Sequence, residues 1–173
     1  LEQESKTDPL THLYNRRGML ELLTREMTRS KRYNRPCSLI MCDIDYFKTI
    51  NDKYGHDGGD QCLIALSQLL HQQLRTQDAM SRWGGEEFLI MLPETNQQQA
   101  MVVADKLRQS VAQTPFHYRN QRIALSITAG VAEFDTRSGL EASIERADRA
   151  LYQGKQNGRN RCIAAMQLVS EWE

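Results

Sequence analysis

The chain has 173 residues, 22 Lys plus Arg against 22 Asp plus Glu, and a formal net charge of zero. One domain with a sizeable core fits that length, and the charge balance excludes a global field that would gather nucleic acid or an anionic membrane, so any anion site has to be local. The four cysteines (Cys37, Cys42, Cys62 and Cys162) have no C-x-x-C spacing and read as core thiols of a reducing cytoplasm, and no apolar run approaches membrane-spanning length. Residues 1–7 are polar and start at Leu1 rather than Met, which reads as the end of an upstream linker or helix in a longer protein. The spacing of Met19, Leu20, Leu23 and Met27 predicts a helix over 16–33, stopped by Pro36. Cys37 to Cys42 is apolar on both faces and ends in Asp43-Ile44-Asp45; that suits a central, doubly covered strand delivering acids at its C-terminal end. A short helix is expected around 46–53, and residues 55–60 as a turn opening a second helix lined by Cys62, Leu66, Leu69 and Leu70. A hairpin turning at Gly84-Gly85 comes next, then an amphipathic helix over 97–112 through Ala100, Val103, Ala104, Leu107 and Val111. Residues 123–132 alternate as a strand whose small face (Ala124, Ser126, Thr128, Gly130) admits a helix or a ligand, a helix being the expected occupant. A helix over 139–154, a last strand over 161–165 and a tail over 166–173 complete the chain. Strands alternating with helices around one hairpin indicate an α+β or α/β sandwich with a mixed sheet.

Four segments carry chemistry. Arg82-Trp83-Gly84-Gly85-Glu86-Glu87-Phe88 sets two acids directly after a glycine turn, where the backbone is open to a ligand. Two carboxylates beside open backbone suit a nucleotide–metal site; solvated acids on an ordinary hairpin are the alternative. Asp43-Ile44-Asp45-Tyr46-Phe47-Lys48 places strand-end acids beside a helix N-terminus. Such acids hold a cation while the free N–H groups bind phosphate oxygens, or they merely cap the helix. Mg²⁺ is hard and octahedral and takes a few carboxylates plus phosphate oxygens; Asp43 with Glu86 satisfies that if the hairpin lies beside the strand. Asn51 and Asp60 can read guanine, a carboxylate accepting from N1–H and N2–H₂ together, a donor pair that adenine lacks; both positions also suit helix ends. Lys155 and Arg159 sit at a helix C-terminus, where the helix dipole favours cations with or without a phosphate to bind.

Together these segments resemble the GGDEF domain family, the diguanylate cyclases, from Asp8 to about Arg161. Residues 8–17 (DPLTHLYNRR) are similar to the opening motif, with His12 where glycine is usual, in a turn expected to lie remote from the chemistry. Residues 43–52 (DIDYFKTIND) match D-x-D-x-F-K-x-x-N-D, residues 55–60 (GHDGGD) match G-H-x-x-G-D, and residues 84–88 (GGEEF) are the signature in its Glu-Glu form. Four motifs in order at the right spacing make a specific signal. The resemblance implies a palm-like, nucleotidyl-cyclase fold over 8–165, a central mixed five-stranded sheet flanked by helices with the signature on a β-hairpin.

The resemblance also implies roles. Asp43, the Ile44 carbonyl, Glu86 and Glu87 would hold Mg²⁺, with Mn²⁺ as a substitute. Glu87 would also act at the 3′-hydroxyl, and Lys48 would stabilise the transition state. Asn51 and Asp60 would bind guanine with His56 nearby, and Phe47, Lys48, Gly84, Lys155 and Arg159 would complete the GTP site. Arg75 and Asp78 would form an R-x-x-D inhibitory site for the product, since guanidinium pairs with phosphate and stacks on guanine. The reaction implied joins two GTP into cyclic di-GMP with release of two pyrophosphates, and needs a homodimer. No nucleic acid or membrane partner is expected. A silent module binding GTP or cyclic di-GMP, and a cyclase making another cyclic nucleotide, are the competing functions; Glu86 with Glu87 argues against the first and Asp60 against the second.

Overall fold

The computed structural model describes residues 5–166; residues 1–4 and 167–173, which hold most of the expected linker end and tail, lie outside the described residues. In chain order the elements are α1 (Arg16–Tyr33), β1 (Cys37–Ile44), α2 (Phe47–His71), β2 (Ala79–Arg82), β3 (Glu87–Pro93), α3 (Gln97–Gln113), β4 (Phe116–Tyr118), β5 (Gln121–Ile123), β6 (Ile127–Glu133), α4 (Leu140–Gln156) and β7 (Cys162–Ala164). The main sheet has five strands in the order β2-β3-β1-β6-β7. β1 is buried along its length and central, antiparallel to both neighbours, while β6 and β7 run parallel. The sheet is therefore mixed, as expected, and the fold is α+β.

Alternation along β1 splits the core into two layers. Ile40, Cys42 and Ile44 face α2 and α3, packing with Leu63, Leu66, Leu70 and Leu107. Leu39 and Met41 face α1 and α4, packing with Met19, Leu23, Ala147 and Leu151. On α1 the inner face differs from the prediction by one position: Leu20 is exposed and Leu22 is half-buried against the core. The helix starts at an Asn15 cap whose side chain accepts from Gly18 N–H, and ends at Asn34 in the left-handed region, before Pro36.

The small face of β6 takes a helix. A Cβ on Gly130 would lie 2.1 Å from the Ala147 carbonyl oxygen and 2.3 Å from Leu151 N, so only glycine lets α4 pack this close. Two expectations are corrected. The break expected over 55–60 is confined to Gly55, whose non-helical backbone (φ 78°, ψ 171°) separates two helical stretches within α2, so that residues 56–60 are already helical. The strand expected over 123–132 begins only at Ile127, because Gln121–Ile123 pairs with Phe116–Tyr118 in a separate two-stranded hairpin. Its turn residues, Arg119 and Asn120, both take positive φ, and a turn without glycine gives little sequence signal. All four cysteines are free, three of them buried. No helix of the described residues is long and apolar enough to cross a membrane.

Candidate active site

β1 and β3 bring the acids together. Their antiparallel register sets Asp43 directly opposite Glu87, so the two side chains leave the same face of the sheet. Ile44 N–H donates to the Glu86 carbonyl at 3.4 Å, holding the next residue of the hairpin against the strand end. The loop between β2 and β3 is closed by Trp83 and Gly84 N–H, both donating to the Glu87 carbonyl at 2.8 and 3.3 Å. A Cβ on Gly84 would sit 2.8 Å from Glu87 Oε1, so this glycine leaves room for the Glu87 side chain.

Asp43, Glu86 and Glu87 line one side of a cleft of about 500 Å³; Phe47, Asn51, His56 and Asp60 line the other, with Lys155, Leu63, Arg82 and Gly85 completing it. The kink at Gly55 turns the two halves of α2 so that Asn51 from the first and Asp60 from the second face one space. Gly59 is part of that geometry: a Cβ there would overlap Asn51 Oδ1 at 1.8 Å. Arg82 and Leu63 are cleft residues that the sequence does not single out. Arg82 donates to the Gly85 carbonyl through Nε at 3.0 Å and Nη2 at 2.9 Å, and its Nη1 lies 3.3 Å from Asp8 Oδ1. A cation in a strand just ahead of a glycine turn is the sequence signal that would have marked it. His12 takes the left-handed conformation (φ 64°), which explains glycine's suitability there, and does not line the cleft. The turn expected to be remote nonetheless reaches the hairpin, through Asp8.

The electrostatics are those of crowded acids. Lys155 Nζ forms an ion pair with Asp43 Oδ2. Burial nevertheless pushes the Asp43 carboxyl above its ordinary range, against the pull of Lys155 and helped by the charges of Asp148 and Asp45. Burial and the Asp43 charge push Glu86 up, partly offset by Lys155 and Arg159. Burial, Asp43 and Asp148 do the same to Glu87. Asp45, by contrast, is fully engaged: it accepts from Ser126 Oγ at 2.7 Å, Thr128 Oγ1 at 2.5 Å and Asn160 N–H at 3.0 Å. Asp45 is thus a structural acid that ties the loop after α4 to the end of β1.

The remaining predicted residues lie around or away from the cleft. Ile44 is buried at the strand end, and Lys48 is exposed in the first turn of α2. Tyr46 at the N-cap of that helix is left-handed (φ 56°) and makes no side-chain capping bond, so the first-turn N–H groups of Phe47 and Lys48 receive no cap from it. Arg159 stacks on the Tyr46 ring, 4.8 Å from its centroid. Arg75 and Asp78 form an ion pair at 2.8 Å, with Arg75 Nη2 also donating to the Pro93 carbonyl at 3.0 Å. That pair sits at the opposite end of the seven-residue β3 from Glu87, about 20 Å along the strand.

A divalent cation can be tested against the donors. Among the described residues the buried Asp43 Oδ1 has no hydrogen-bond partner, a costly arrangement unless something else completes it. Among the described residues no three His, Cys, Asp or Glu side chains converge as a ready-made metal cage. Mg²⁺ does not need one, being held through one or two carboxylates together with substrate phosphates. Hard oxygen donors from Asp43 and Glu86, with the open carboxylate oxygen, fit that ion.

Comparison with known proteins points the same way. The family model described as "Diguanylate cyclase, GGDEF domain" matches residues 5–161. The chain is 40% identical over 163 residues to diguanylate cyclase DgcP of Pseudomonas aeruginosa, covering 94% of this chain and 24% of that protein. It is 42% identical over 163 residues to a diguanylate cyclase of Vibrio cholerae serotype O1, covering 94% of this chain and 50% of that one; the chain thus spans half or less of these relatives. The structure resembles the GGDEF domain of DgcB from Caulobacter crescentus, crystallised in complex with c-di-GMP, with a TM-score of 0.91, 30% identity, and coverage of 96% of this chain and 97% of that one. On the strength of the matched motifs, the cleft and these likenesses, the chain belongs to the GGDEF domain family of diguanylate cyclases.

Proposed function

We propose that this domain, taken as residues 8–165 of a cytoplasmic protein, is an active diguanylate cyclase that condenses two GTP into cyclic di-GMP and two pyrophosphates. The observation that carries it is the cleft: Asp43 and Glu87 paired across β1 and β3 on one side, Asn51 and Asp60 on the other. In this reading Asp60 accepts from guanine N1–H and N2–H₂, Asn51 meets its remaining edge, and His56 flanks the base. The N–H groups of the first turn of α2, with Lys48, Lys155 and Arg159, hold the phosphates, and Gly84 leaves the main chain open. Asp43, the Ile44 carbonyl, Glu86 and Glu87 hold Mg²⁺, or Mn²⁺ in its place. When bound, the cation neutralises phosphate charge and acidifies the attacking hydroxyl. Glu87 takes the proton from the 3′-hydroxyl of one GTP. The 3′-oxygen forms a bond to the α-phosphorus of the other, whose bond to pyrophosphate breaks, and Lys48 stabilises charge on the phosphoryl oxygens.

One domain holds one GTP, so two copies must face each other. Arg75 with Asp78, remote from the cleft, binds the product and slows the reaction. The test is incubation of the protein at high concentration with GTP and Mg²⁺, then with ATP. Cyclic di-GMP from GTP alone is expected; no product from GTP, or a different cyclic nucleotide, overturns the proposal.

A further inference from the structure

Tyr46 is 63% exposed, takes a left-handed conformation that a bulky side chain adopts only at a cost, and makes no side-chain capping bond to α2. Neither core packing nor capping accounts for it. Its ring instead lies under the guanidinium of Arg159, 4.8 Å from the centroid, and Arg159 is itself left-handed (φ 63°). The two residues are brought together by their neighbours. Asp45, just before Tyr46, accepts from Asn160 N–H, just after Arg159, at 3.0 Å, and Thr128 Oγ1 accepts from the same N–H. Asn160 Oδ1 in turn accepts from Arg108 Nη1 of α3 at 3.1 Å. The backbones of both segments are therefore fixed, and the stack decides where a long, rotatable cation points.

We propose that Tyr46 is a positioning residue for Arg159, its ring face holding the guanidinium beside the uncapped N-terminus of α2 so that it meets the phosphates of the nucleotide. The inference rests on the cyclase reading for the identity of that nucleotide. An exposed cation–π contact is a modest interaction, so the expected effect is a change of about threefold in binding.

The test combines GTP kinetics with titration of a non-hydrolysable GTP analogue. Tyr46→Ala is expected to raise KM and the analogue Kd about threefold with kcat little changed. Tyr46→Asn, which tolerates the left-handed backbone but lacks the ring, is expected to do the same, and Tyr46→Phe to retain wild-type values. Tyr46→Ala added to Arg159→Ala is expected to change nothing further. Wild-type affinity in Tyr46→Ala and Tyr46→Asn, failure of Tyr46→Phe to retain it, or a full additional loss in the double variant would each overturn the proposal. If the wild-type protein makes no cyclic di-GMP, the cyclase reading fails, while the analogue titration still decides the role of Tyr46.

Discussion

At the scale of single residues, Glu87 carries opposing demands. It is half-buried beside Asp43 and Asp148, and burial first, then those charges, raise its carboxyl above the ordinary value. An acid raised in the folded state contributes stability below its unfolded pKa, about 4.3, and that contribution is lost as pH rises through the raised value. At neutral pH the charged Glu87 is thus a cost to the fold that its proposed role at the 3′-hydroxyl requires. Glu87→Gln is expected to lower turnover by at least about 100-fold while raising the melting temperature at pH 7.5. The gain should shrink toward pH 4, which thermal melts across pH would reveal. Unchanged turnover would remove Glu87 from the reaction.

At the scale of elements, the hairpin is held by a turn far away in sequence. Asp8 accepts from Thr11 N–H at 2.9 Å and Thr11 Oγ1 at 2.8 Å, and pairs with Arg82, which grips the Gly85 carbonyl. Partial burial raises the Asp8 carboxyl, but the Thr11 hydrogen bonds and Arg82 outweigh it and leave it below the ordinary value. That stability is present above the unfolded pKa of about 3.9 and is lost as pH falls through the lowered one. Asp8→Asn is expected to cost about 1–2 kcal/mol in urea melts at pH 7, and less at pH 3. Within α2, the side chain of Asn51 occupies the space a Cβ on Gly59 would need. Gly59→Ala should therefore displace a flexible side chain rather than backbone, raising KM for GTP with little loss of stability; an unaltered KM would mean that Asn51 does not read the base.

At the scale of the whole molecule, one cleft holds one proposed GTP, so in the proposed reaction turnover would depend on encounters between copies. Initial rate is expected to rise faster than linearly with protein concentration, and strictly linear scaling over a wide range would count against catalysis between two domains. The Arg75–Asp78 pair lies at the far end of β3 from the acids, so its proposed effect must act on how domains meet rather than on the cleft itself. Arg75→Ala is expected to abolish the slowing of turnover by added cyclic di-GMP; inhibition persisting at wild-type strength would relocate the inhibitory site.

The candidate site is legible in the chain because it is carried by short segments. Asp43 after an apolar strand, Gly84-Gly85 before two glutamates, and Asn51 with Asp60 in one helical region each need only a few residues of local geometry to be recognised. The mixed sheet and the helices are legible for the same reason, although the break in α2 is narrower than its run of glycines suggests: periodicity reports burial along a single element. The pairing of Asp43 with Glu87, the Lys155 contact on Asp43, the entry of Arg82 into the cleft and the stacking of Arg159 on Tyr46 are not. They join segments far apart in the chain, and their register is set by which faces the sheet buries against α1 to α4, a property of the packed whole.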